Sequence, residues 1–277
     1  MNFSTVQLSF SQSSSCLLES GGSCERVILS LLRLEALSKK FGDHWALKEI
    51  DFSIEEGEIV GLIGPNGAGK TTLFNLITCR HRATSGRVLF ANKETTSYKP
   101  HEIQKLGISR TFQSSRPFAK MSTLDNVVVG RVFSGEFHLF AESTDIDSAR
   151  QLLELVGLAH KEQTPAGDLT LSEQRRLDLA RALATQPRLL LLDEVVAGFS
   201  PIAVKQAVDL VRRVRQRGVT LFIIDHFLSL SLRVSDRLLA LDHGEKVAEG
   251  RPQEVMRNRE VIRAYLGTRH EEEAQRA

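Results

Sequence analysis

Cysteine is scarce in this chain of 277 residues, and Cys16, Cys24 and Cys79 form no metal-ligand cluster. A reduced, cytoplasmic setting fits that usage. An excess of charge of one sign is missing too: 36 basic and 34 acidic residues leave a net charge of +2. Nothing in that total points to nucleic acid as the main partner. Long hydrophobic runs are absent as well. Residues 219–224 form an apolar run of strand length, and no run approaches the roughly 20 residues that a bilayer-spanning helix needs. Any link to a membrane therefore goes through another protein. The length and the 42% of hydrophobic residues suffice for one large globular domain, alone or with a smaller subdomain. Residues 1–31 stand apart: they are rich in serine, carry no basic residue before Arg26, and lack the apolar core of a signal peptide. They read as a flexible leader. A regulatory or targeting tail, or a translation start further downstream, are the alternatives.

The segment Gly64, Pro65, Asn66, Gly67, Ala68, Gly69, Lys70, Thr71 matches G-x-x-x-x-G-K-[ST], with Thr72 following. The apolar run 58–63 before it reads as a short buried strand, and residues 71–77 continue with helical spacing, which is the context this motif requires. The glycines let backbone N–H groups curl around a β-phosphate, and the helix start adds the positive end of its dipole. Lys70 would reach the β- and γ-phosphates, and the Thr71 hydroxyl would ligate Mg²⁺. A chance glycine-rich turn is the bland reading. The strand, loop and helix context argues against it.

Residues 32–37 and 46–54 alternate as strands, an antiparallel patch leading into a nucleotide-binding core. Between Gly130 and Ala166 the composition turns helical, with apolar spacing of i, i+3 and i+4 over 149–156, as expected of an inserted helical subdomain covering roughly 114–187. A helix ends at Pro187. The strand 189–192 then delivers Asp193 and Glu194 to its C-terminal edge, and the strand 219–224 presents Asp225 and His226 at its own end. Ligands of open α/β sheets sit at such edges. The alternation of strands and helices predicts an α/β fold with a mainly parallel sheet.

Asp193 has the position of a second Mg²⁺ contact made through water, and Glu194 that of a group that orients or deprotonates an attacking water. An acidic pair that merely caps the next helix is the alternative, and Lys70 in the same chain tips the balance toward hydrolysis. With these residues in place, residues 32–267 resemble the ATPase subunit of an ATP-binding cassette (ABC) transporter. The resemblance implies a P-loop ATPase with ATP and Mg²⁺ as cofactors. It assigns adenine stacking to Phe41, and Mg²⁺ contact together with sensing of the membrane subunit to Gln113 in 110–113. It places the signature motif, which touches the nucleotide of a partner cassette, at Leu169 to Arg176, with Thr170, Leu171, Ser172 and Glu173 at its centre. His226 matches the switch histidine that contacts the γ-phosphate. Taken singly, Phe41, Gln113 and His226 would be a core aromatic, a surface amide and a strand-end histidine.

Within the family, 107–113 followed by Arg116, Pro117, Phe118, Met121, Ser122 and 124–127 look like the importers of branched-chain amino acids, as does the ending 261–267. Related systems carry urea, short amides or other small polar solutes, so the substrate stays open. The resemblance implies two ATPase subunits facing head to tail with ATP between them, two membrane permease subunits whose coupling helices dock near Gln113, and an extracytoplasmic solute-binding protein acting indirectly. The chain would then sit at the cytoplasmic face of the inner membrane, with residues 268–277 as a charged tail.

The signature departs from the family. Leu169 to Glu173 stand where Leu-Ser-Gly-Gly-Gln is usual, Val195 replaces a proline, 198–200 end in Ser200 rather than Asp, and Asp225 replaces Glu. Thr170 to Glu173 fits the capping box T-x-x-E ahead of a helix running to Gln186. Such a box either neutralises Glu173 or sets its carboxylate against the partner's γ-phosphate. The second case favours a heterodimer whose partner brings a glycine-bearing signature. A soluble, non-transport ABC ATPase is the competing class. Such proteins carry two cassettes or a long coiled-coil insertion, whereas one phosphate loop is present here.

Overall fold

The apolar runs of the sequence become the interior of a parallel sheet because both of its faces are covered. The computed structural model describes residues 30–111, 117–132, 143–193, 201–224 and 228–266. Its strands are β1 (Leu32–Phe41), β2 (His44–Ile54), β3 (Ile59–Ile63), β4 (Ser85–Phe90), β5 (Lys93–Glu94), β6 (Ile108–Arg110), β7 (Leu189–Asp193), β8 (Thr220–Ile224), β9 (Arg237–Asp242) and β10 (Glu245–Gly250). The helices are α1 (Lys70–Ile77), α2 (Pro100–Lys105), α3 (Thr123–Val132), α4 (Ser143–Leu155), α5 (Leu171–Ala184), α6 (Pro201–Gln216), α7 (Leu228–Val234), α8 (Pro252–Val255) and α9 (Arg259–Leu266).

An antiparallel sheet in the order β2-β1-β4-β5 lies over a six-stranded sheet in the order β10-β9-β3-β8-β7-β6. In the larger sheet every pairing is parallel except that of β10 with β9. Side-chain alternation along β7 divides the core between the two faces. Leu189 and Leu191 pack with Phe74 and Phe222 beneath the antiparallel sheet, whereas Leu190 and Leu192 pack with Leu177 and Leu183 beneath the helices.

Helices α3, α4 and α5 pack on one another. The first of them starts at Thr123, ahead of the Gly130 expected from composition, because the Ser122 hydroxyl accepts the Asp125 N–H at 3.0 Å and caps the helix. Helix α5 stops at Ala184 rather than Gln186. Gln186 takes a left-handed φ of 52°, and its place before Pro187 disfavours helical backbone. At the other end of the chain, Leu31 belongs to the core and not to the leader. Its side chain is buried, its N–H donates to Ile54 O at 2.8 Å, and its carbonyl accepts from Ala91 N–H at 2.8 Å.

Candidate functional site

The chain turns from β3 into α1 through residues 64–69, and the glycines make that turn possible. Gly69 sits at φ +102°, where a Cβ would come within 2.6 Å of Ala46 O on β2, so no larger residue fits. It is the N-cap of α1. No side chain caps this helix and its first turn holds no acidic residue, so its N–H groups remain for an anion. Asn66 and Gly67 are exposed at the loop's tip, as is the side chain of Thr71, while Ala68 is buried and Thr72 half-buried.

Lys70 is buried, and its ammonium donates to Gly64 O at 2.6 Å and Pro65 O at 2.8 Å. Burial pushes its pKa below the usual lysine value, and the negative charge of Asp193 pushes back. The two groups, 123 residues apart in sequence, therefore feel each other's charge. A threonine hydroxyl at the start of α1 and a nearby carboxylate are hard oxygen donors of the kind that Mg²⁺ takes alongside phosphate oxygens. The donor set fits the ion.

Asp193 ends β7 at the C-terminal edge of the sheet. Its Oδ2 accepts from Arg110 Nη2 at 2.7 Å, and its N–H donates to Thr111 Oγ1 at 3.1 Å. Arg110 also donates through Nη1 to Asn75 Oδ1 at 2.7 Å, and its guanidinium lies 5.4 Å from the Phe74 ring centroid. One arginine thus ties β6, β7 and α1 together. Sequence reading missed this role. The available signal was a cation closing the short apolar strand 108–110.

Phe41 ends β1 with its ring exposed, 5.5 Å edge-on from His81 and 4.8 Å from Lys39 Nζ. The hairpin that carries it continues into β2, whose Ala46 and Leu47 abut Gly69. The ring therefore belongs to the strand pair that backs the phosphate loop.

Thr170 is the N-cap of α5, and the expected capping box is formed. Glu173 N–H donates to Thr170 Oγ1 at 3.4 Å, and Glu173 Oε2 accepts from Thr170 N–H at 2.9 Å. The other carboxylate oxygen accepts from Lys161 Nζ at 2.7 Å. This lysine, then the Thr170 N–H, pulls the Glu173 pKa down to about 2. Glu173 is therefore a paired anion and not a bare carboxylate. Lys161 thus supplies a countercharge that the sequence pattern did not show, which weakens the repulsion expected of a bare carboxylate. Thr170, Leu171 and Ser172 are the exposed residues at the centre of the motif, and Glu173 is buried.

Gln113, Glu194, Asp225 and His226 lie outside the described residues, as do Val195 and residues 198–200. A groove of about 540 Å³ opens among α2, β6, α3 and α5, lined by Gln104, Arg110, Thr111, Phe118, Gly130 and Arg181. Phe118 is largely exposed there, with the Arg181 guanidinium 5.2 Å from its ring centroid. No helix among the described residues is long and apolar enough to cross a membrane.

Comparison with known proteins agrees with this geometry. Residues 47–197 match the ABC transporter family model, and residues 245–271 match the model of the branched-chain amino acid ATP-binding cassette transporter. The high-affinity branched-chain amino acid transport ATP-binding protein LivG of Escherichia coli strain K12 is 35% identical over 249 residues, covering 86% of this chain and 98% of that protein. The probable LivG of Methanocaldococcus jannaschii is 34% identical over 255 residues, covering 87% and 99%. Among solved structures, the ADP conformation of an ATP-binding cassette of an ABC transporter superposes with a TM-score of 0.78 at 33% identity, covering 86% of this chain and 99% of that one. These relatives are named as transport proteins, and none supports a soluble, non-transport reading. With a phosphate loop, a buried lysine and a strand-end aspartate in one site, and with relatives matched along nearly their whole length, the chain belongs to the ABC transporter family of ATP-binding ATPases.

Proposed function

We propose that this ATPase drives an importer of branched-chain or other small polar amino acids, working as one of two cassettes beneath two membrane permease subunits. The observation that supports the hydrolytic part is that the glycine loop bonding Lys70 follows β3, while Asp193 is buried at the C-terminal end of β7 in the same parallel sheet. The importer part rests on the match of residues 245–271 to the branched-chain model.

In this reading the N–H groups of residues 66–72 cradle the phosphates and Lys70 leaves its loop carbonyls for the β- and γ-phosphate oxygens. Phe41 stacks on adenine. Thr71, Gln113 and, through water, Asp193 hold Mg²⁺, which when bound offsets charge on the transferred phosphoryl group. Glu194 accepts the proton of the attacking water and His226 contacts the γ-phosphate. Leu171 and Ser172 reach the nucleotide of the facing cassette, with Glu173 tied back to Lys161. The groove lined by Phe118 and Arg181 receives a coupling helix of the permease. The permeases hold the chain at the cytoplasmic face of the membrane, and a solute-binding protein delivers the amino acid from outside. Purification of the tagged chain from membranes, followed by ATP-dependent uptake of labelled leucine by the reconstituted complex, tests this assignment. Recovery of the chain free of any permease would overturn it.

A further inference from the structure

The C-terminal helix reaches the phosphate loop. Gly64 N–H donates to the Tyr265 hydroxyl oxygen at 2.7 Å, across 201 residues of sequence. The carbonyl of that same Gly64 accepts from Lys70 Nζ at 2.6 Å. One residue thus connects a phenol on α9 with the ammonium proposed to bind phosphate.

The position is geometrically restricted. Gly64 has φ +150°, and a Cβ on it would come within 2.2 Å of Leu241 O on β9. With no side chain to anchor it, the peptide entering the loop is oriented by what its backbone groups bond to. Tyr265 itself is 37% exposed, but the helix that carries it is anchored. Val261 lies one turn before Tyr265 on the same face of α9, is almost fully buried, and packs with Ile63, the last residue of β3 before the loop. The turn between β9 and β10 supports the loop as well, with Gly244 N–H donating to Ala68 O at 3.2 Å and Gly244 O accepting from Lys48 N–H at 2.8 Å. Both supports come from outside the segment matched by the general ABC transporter model, residues 47–197.

We propose that Tyr265 is a positioning residue for the nucleotide site: its hydroxyl fixes the Gly64 peptide, through which the chain enters the phosphate loop. A loop held in its binding shape spends less of its interaction energy on ordering itself. Losing the hydroxyl frees the Gly64 peptide to rotate, which loosens binding of ATP and ADP alike. The chemical step changes little, because both ground and transition states use the same cradle.

The inference rests on residues 64–71 being the nucleotide site, which Lys70→Ala tests separately. If Lys70→Ala binds ATP as the wild type does, that site is wrong, whatever Tyr265 does. Tyr265→Phe in the full chain removes one oxygen and keeps the ring. For this variant, calorimetry should show about three- to tenfold weaker binding of both nucleotides, the size expected for loss of one hydrogen bond. KM should rise in step, with kcat within about twofold. Amide hydrogen exchange across residues 60–70 should speed up. Unchanged nucleotide affinity would overturn the proposal, and so would a fall in melting temperature with KM unchanged in the folded fraction, which is the mark of packing alone. Tyr265→Ala should weaken binding at least as much as Tyr265→Phe.

Discussion

Arg110 and Asp193 form a buried ion pair at the C-terminal edge of the parallel sheet, their side chains 6% and 7% exposed. The strands that carry them are adjacent, and the register sets Arg110 against Leu191, so the guanidinium reaches two residues along β7 to meet the carboxylate. Removing one partner of such a pair leaves an uncompensated charge in a poor solvent. Arg110→Met should therefore destabilise the protein by about 3–5 kcal/mol in chemical denaturation. The variant Arg110→Lys keeps the charge but loses the fork that serves Asp193 and Asn75 together, and should fall between. A loss below about 1 kcal/mol for Arg110→Met would contradict the pairing.

Glu173 gives the stability a defined dependence on acid. Its folded pKa of about 2 lies below its ordinary value of 4.5, so its contribution is complete above pH 4.5 and is lost as pH falls from there toward 2. The Lys161 ammonium and the Thr170 N–H, which favour the ionised form, are the source of that contribution. Urea denaturation of Glu173→Gln should show a deficit at pH 7 that shrinks as pH drops through that window. ATPase activity should not rise in this variant, since the carboxylate is already paired with Lys161. A clear gain in activity would restore the idea of an electrostatically weakened signature.

A chain beginning at Ser30 should keep its melting temperature and nucleotide affinity, because it retains Leu31 and every strand of both sheets. Beginning at Leu32 should cost about 2 kcal/mol or more, as Leu31 is 2% exposed and closes two backbone hydrogen bonds between β2 and β4. Equal stability of the two truncated chains by calorimetric melting would contradict the placement of Leu31 in the core.

Local signals were legible in the sequence and long-range ones were not. The phosphate loop could be read because its glycines, lysine and threonine act within a few residues, and the apolar run before Asp193 could be read because a strand buried on both faces shows no alternation. The capping box at Thr170 is equally local. By contrast, Arg110 meets Asp193 across 83 residues and Tyr265 meets Gly64 across 201, and neither leaves a periodicity to find. Lys161 lies close to Glu173 in sequence, yet only the folded turn between α4 and α5 brings its ammonium to the carboxylate. Helix α3 lies inside the helical subdomain expected over roughly 114–187, and its start is marked locally by Ser122 and Asp125 rather than by composition.

The central claim is that this site hydrolyses ATP with Glu194 as the base, and one substitution tests it most directly. Glu194→Gln removes the proton acceptor while Lys70 and Asp193 remain to hold Mg-ATP. Steady-state turnover should fall by about 10²–10⁴-fold, with ATP binding retained and an ATP-dependent dimer detectable by size exclusion with light scattering. Turnover close to that of the wild type would contradict the account.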